Sequence, residues 1–164
     1  MDKIKRNSTV LTSSGFSLVE LIVVIVLIGI FASIAMTRTR TGLSTIREQI
    51  AIDQVTSDID LVRSMAFGRH DTITIVFSTS QESYAIFNGP DGSRLSIEDF
   101  PNSDNGTISL DNSTMRDVDL QSVNFNGSSE LQFLPLGDVK AGGSLALNNK
   151  TITIQPITGK WSVN

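Results

Sequence analysis

The sequence predicts an α+β fold: a long N-terminal helix, apolar all round in its first half and one-sided in its second, packed on antiparallel β-sheet. Three observations predict it. An almost unbroken apolar run fills residues 16–36. Apolar residues then recur at three- and four-residue steps as far as Ala66. Beyond residue 70 the pattern changes to alternation punctuated by Gly, Pro, Asn and Asp, which marks strands and turns. A helix followed by a run of short strands belongs to the α+β class.

The apolar run comes first. About 20 residues at 1.5 Å each cover roughly 30 Å, the thickness of a bilayer's hydrocarbon core. Ser17, Gly29 and Ser33 are small and fit a membrane helix. Glu20 is the exception. A carboxylate inside such a helix costs a few kcal/mol (about 3) unless it lies near the interface or has a partner. Lys3, Lys5 and Arg6 precede the run, against Asp2 alone, and basic flanks stay cytoplasmic. The N-terminus is therefore expected inside and everything after Met36 outside.

Two ordinary readings of this N-terminus compete. One is a secretory signal peptide cut after Ser33-Ile34-Ala35, leaving Met36 first; yet its apolar core is too long and holds an acid. The other is an uncleaved anchor, which gives Glu20 no role. A third comes from resemblance. Gly15-Phe16-Ser17-Leu18-Val19-Glu20 resembles the start of type IV prepilins and type II secretion pseudopilins. The resemblance implies a leader cut off after Gly15 by an inner-membrane prepilin peptidase, which also N-methylates the new terminus, Phe16. It implies too that Glu20 pairs with the terminal amine of a neighbouring subunit during assembly. Amine and carboxylate attract far more strongly in low dielectric than in water. Pairing of Glu20 with Phe16 of its own chain, one helical turn back, stays open.

The second half of the helix follows a polar collar at residues 37–42, where Arg38 and Arg40 would reach lipid phosphates. Ile46, Ile50, Ile52, Val55, Ile59, Val62 and Ala66 are expected to form one apolar stripe against a sheet. Arg47, Glu48, Asp53, Gln54, Ser57, Asp58 and Asp60 are expected on the solvated face. The helix is expected to continue through or bend at Gly42 and to stop at Gly68. The chain thus divides into a leader (1–15), an assembly helix (16–36), an amphipathic helix (37–68) and a β-rich head (69–164).

Alternation predicts strands over residues 72–78 and 83–88, with a turn at Gly89-Pro90-Asp91-Gly92. Shorter strands are expected at 94–97, 107–110 and 118–125, and a clearer one at 130–135. Residues 144–147 and 151–155 read as a hairpin joined by Asn148-Asn149-Lys150. The chain closes on Thr158-Gly159-Lys160-Trp161-Ser162-Val163.

Phe133 with Gly137, the strand led by Gly143, the β-branched strand 151–154 and the final Thr158-Gly159 resemble the C-terminal half of the GspH/FimT family of minor pseudopilins and minor pilins. That resemblance implies a pilin-like fold and a structural subunit at or near the tip of a type II secretion pseudopilus or a type IV pilus. It would be the substrate of an enzyme, not an enzyme. Implied partners are the prepilin peptidase/methyltransferase, other pilin or pseudopilin subunits, the inner-membrane assembly platform, the lipid bilayer and a secreted cargo. The precursor would cross the bacterial inner membrane once, with its head in the periplasm.

Composition excludes several other classes. With 164 residues there is room for one domain and a membrane segment. The whole chain carries −4 and the leader +2, leaving −6 on the remainder, which disfavours nucleic acid. Lys140, Lys150, Lys160 and Trp161 are few contacts for the DNA binding known in some FimT-type pilins. Absence of cysteine removes disulfides, thiolate metal sites and a Cys nucleophile. His70 is the lone imidazole, expected as a solvated turn residue, and Asp58 and Asp60 diverge on a helix. No cofactor is expected, and the acidic residues between 98 and 119 read as a solvated loop rather than a calcium site. A periplasmic binding protein freed by signal cleavage is the alternative from another class.

Overall fold

The computed structural model describes residues 15–90 and 92–164, without the side chains of 37–41. The leader up to Ser14, the side chains of Arg38 and Arg40, and Asp91 lie outside what is described. One helix, α1, runs Leu18–Arg69 and continues through Gly42. The chain forms two compact units, Met1–Arg40 and Thr41–Asn164. In the first, the described residues are a single apolar helical segment. The second holds the rest of α1 and nine strands.

The strands are β1 (Ile73–Ser78), β2 (Ser83–Asn88), β3 (Leu95–Ser96), β4 (Thr107–Ser109), β5 (Leu120–Asn124), β6 (Glu130–Phe133), β7 (Gly143–Leu147), β8 (Lys150–Ile154) and β9 (Trp161–Val163). They build two antiparallel sheets. The first has the order β3-β2-β1-β6, with β4 also on β2; the second has β5-β7-β8-β9. Asn126 and Gly127, both at positive φ, make a tight turn from β5 to β6. These two strands part after a single bridge, Phe125 to Ser128, and enter different sheets. Gly143 opens β7 where a Cβ would stand 2.1 Å from the Asn124 carbonyl oxygen, so no larger residue fits.

Lys150 pairs with Leu147, which shortens the expected 148–150 link to the two residues Asn148 and Asn149. The strand expected over 130–135 ends at Phe133, because Pro135 has no N–H to donate and enters a turn.

One core joins the helix to both sheets. Ala51, Ile52, Val55, Ile59, Val62 and Ala66 meet Ile73, Ile75, Tyr84, Ile86, Leu131 and Phe133 of the first sheet, with Leu145, Leu147, Ile152 and Ile154 of the second. Two expectations are corrected here. Ile46 and Ile50 are not part of this buried stripe: both are exposed, Ile46 at 58 %, along with Leu43. At 100° per residue they fall opposite the Val55–Val62 face. Asp58, expected in solvent, is buried to 4 % exposure. It stands three residues from Val55 and four from Val62, so it shares their face.

Candidate assembly site

Gly15 and Phe16 lie just before α1, and Glu20 occupies its first turn. An acid is favoured there by the unsatisfied N–H groups of a helix start. Ser17 closes the first turn, accepting from Leu21 N at 3.1 Å. Leu18–Met36 is long and apolar enough to cross a membrane, and none of it is buried by the protein itself. Phe16 is exposed. The three residues that the motif singles out stand together at one helix end, with Glu20 four positions after Phe16.

The head is anchored to α1 by polar contacts that local sequence does not announce. Arg47 pairs with Asp117 at 2.8 Å, and Glu48 accepts from the Asn149 backbone N–H at 3.0 Å. Asn148 donates to the Asp117 carbonyl at 3.0 Å and accepts from Asp119 N at 2.8 Å. Trp161 donates from Nε1 to Asp60 at 3.1 Å, which fixes β9 beside the helix. Arg94 forms a two-pronged pair with Glu130, at 2.8 and 2.5 Å, linking the loop before β3 to β6.

Inside the core the Tyr84 phenol and Gln54 both donate to Asp58 Oδ2. Burial pushes the Asp58 carboxyl up, and these two donors oppose that rise. Burial also pushes the Tyr84 phenol up, with the neighbouring Asp58 charge adding to it. The pair joins elements 26 residues apart. The spacing of Asp58 from Val55 and Val62 was the signal that it is buried, although it was expected on the solvated face; nothing local named Tyr84 as its partner.

Clefts mark the surface among the described residues. One, of about 350 Å³, lies between the Phe125–Ser128 turn, Glu130 and Gln132 of β6, and Lys140. Another, of about 500 Å³, is lined by Asp60, Arg63, Ser64, Phe67, Leu136 and Gly137. His70, at positive φ after the helix, packs its ring 6.2 Å from Phe67. Among the described residues no group of three or more His, Cys, Asp or Glu side chains could hold a metal ion. Glu82 is pushed up, by desolvation first and then by the carboxylates of Asp119 and Asp111.

Two family profiles match the chain. Residues 12–36 match the prokaryotic N-terminal methylation motif. Residues 51–164 match the type II transport protein GspH. The chain belongs to the GspH family. Curated protein sequences return no match. Among solved structures, the fold of this GspH-type chain is similar to the minor pseudopilin EpsH from the type 2 secretion system of Vibrio cholerae. The TM-score is 0.56 at 11 % identity, over 71 % of this chain and 94 % of that one. The GspH match covers the end of α1 and every strand; the methylation motif covers Gly15, Phe16 and Glu20. GspH-type chains are structural pseudopilins that associate with other pilin-like subunits and with a prepilin peptidase. This GspH-type minor pseudopilin has the α+β pilin-like fold of that class.

Proposed function

We propose that this GspH-type minor pseudopilin is cut after Gly15, N-methylated on Phe16, and built into a type II secretion pseudopilus at or near its tip. The observation that carries this is one coincidence: the methylation motif over residues 12–36 falls on a span apolar enough to cross a membrane, with a lone acid in its first turn. Before assembly the span holds the precursor in the inner membrane. Lys3, Lys5 and Arg6 keep its start cytoplasmic and send the head to the periplasm. The apolar half then leaves lipid for a bundle of similar helices, assembled by an inner-membrane platform.

Glu20 sets the register of that bundle. A carboxylate in an apolar bundle is costly alone and is offset by a cation at matching depth. Cleavage creates such a cation, the α-amino group of Phe16, on each subunit. Glu20 of one chain and Phe16 of its neighbour then fix the axial stagger. The chain serves as a peptidase substrate and a structural piece, and we assign it no catalysis of its own. Secreted cargo is a further partner, and nucleic acid is not one.

Mass spectrometry of the mature chain tests the processing step. A terminus at N-methyl-Phe16 is expected. A terminus at Met36 would turn the protein into an exported soluble one, and an intact leader on functional protein would remove the cation that Glu20 requires.

A further inference from the structure

Two turns beside the C-terminal end of α1 carry apolar tips into solvent. Leu136 is 71 % exposed and Ile157 74 %. The first turn is closed by Gly137 N donating to the Leu134 carbonyl and Leu134 N to that of Asp138, both at 2.8 Å. In the second, Thr158 N donates to the Pro156 carbonyl at 2.8 Å, and Ile157 between them has φ 71. That is a γ-turn of the rare, strained hand, and a β-branched residue is among the least suited to it. Val139 bridges both Phe133 and Ile157, which sets the two turns side by side. Arg63 donates from Nε to the Gly137 carbonyl at 3.1 Å, and a Cβ at Gly159 would stand 3.4 Å from Val139 and 3.9 Å from Arg63 Cδ. Both turns are therefore held against the helix. Strain kept under an exposed apolar side chain gives nothing to the core, and such strain gathers at binding sites.

The charges here differ from those of the whole. Arg63, Arg69, Lys140 and Lys160 against Asp60 and Asp138 leave +2 on residues 60–69, 134–140 and 155–160, in a chain that carries −6 after Gly15. Asp60 shares the cleft with Arg63 and accepts from Trp161, so the surplus rests on Arg69, Lys140 and Lys160 against Asp138, all four exposed. We propose that Leu136 and Ile157 form the centre of a docking patch for the head of a different pseudopilin subunit, one that meets them with an apolar surface edged by carboxylates. Specific interfaces place apolar anchors at the centre and charges at the rim. Opposite charge at the rim speeds encounter and selects the partner. A second copy of this chain fits badly. Patch against patch would set two positive rims together. Patch against any other face would repeat from copy to copy without closing, which suits a filament's shaft and not a subunit at or near its tip. The inference rests on the pseudopilin reading, and adds to it which surface of the head receives a neighbour.

Binding between full-length chains in detergent tests it, with each of the other pseudopilins of the same secretion system purified as the probe. One of them is expected to bind the wild-type chain. Ile157→Gly removes the side chain and suits φ 71, so its unfolding midpoint should lie above wild type while binding weakens about tenfold or more. Leu136→Ser should weaken binding about tenfold with the midpoint unchanged. Lys160→Glu should weaken it about fivefold, and less at high salt. The inference is overturned if no other pseudopilin binds, if either Ile157→Gly or Leu136→Ser binds as wild type does, if Ile157→Gly lowers the midpoint, or if wild-type copies associate with each other and Ile157→Gly abolishes that instead. Mass spectrometry and filament pull-down of the same variants keep the two readings apart. Variants that begin at N-methyl-Phe16 and enter pseudopili as wild type does overturn this inference and leave the proposed function standing.

Discussion

The Tyr84 phenol donates to Asp58 Oδ2 at 2.5 Å, joining β2 to α1 within the core. Two polar groups share one buried position, and each needs the other. Tyr84→Phe leaves the carboxylate with Gln54 as its remaining side-chain donor and should destabilise the head by about 1–3 kcal/mol. Thermal unfolding followed by the fluorescence of Trp161, the single tryptophan, measures this.

The same pair gives stability a pH dependence at both ends. Asp58 is raised above 3.8 in the folded head, so the folded state holds its proton more tightly. Its contribution therefore grows as pH falls through the raised value toward 3.8, and is lost as pH rises back. Wild type should gain on Asp58→Asn over that interval. Tyr84 is raised above 10.0, so above that pH the unfolded chain ionises its phenol while the folded one does not. Stability should fall as pH climbs past about 10, and Tyr84→Phe should fall less steeply. Denaturant midpoints across pH check both slopes.

Gly143→Ala places a methyl group 2.1 Å from the Asn124 oxygen and 2.7 Å from Phe125 Cα. Backbone cannot yield as a side chain does, so β7 and β5 must separate. A loss of about 3 kcal/mol is expected, seen as a lower unfolding midpoint and faster proteolysis of the head.

Two ion pairs, one single and one two-pronged, should differ in worth. Arg47–Asp117 is exposed on the Asp117 side, and Asp117→Ala should cost less than about 1 kcal/mol. Arg94–Glu130 is largely shielded on both sides, and Glu130→Ala takes two charge-assisted hydrogen bonds from a half-buried guanidinium. About 2 kcal/mol is expected there. Unfolding midpoints of the two variants, at low and high salt, rank them.

Glu20→Ala removes the acid from the assembly helix without shortening the apolar span. Membrane insertion should be unchanged and incorporation into pseudopili lost. Fractionation and filament pull-down separate the two, and normal incorporation would end the register role.

The sequence by itself determined the architecture that periodicity writes into it. Apolar length marked residues 16–36, alternation marked the strands, and the spacing from Gly15 to Glu20 marked the processing motif, because each is a relation between near neighbours in the chain. The division into two sheets was not legible, since β5 and β6 are joined by a two-residue turn yet enter different sheets. Tertiary structure alone decided which side of α1 meets the strands. Ile46 and Ile50 satisfied the three-and-four rule with each other, but they lie on the side of α1 opposite Val55 and Val62, so they face outward. It also decided that Asp58 faces Tyr84 and that Arg63 and Leu136 share a cleft. These partners lie tens of residues apart, and only packing brings them to hydrogen-bonding or van der Waals range.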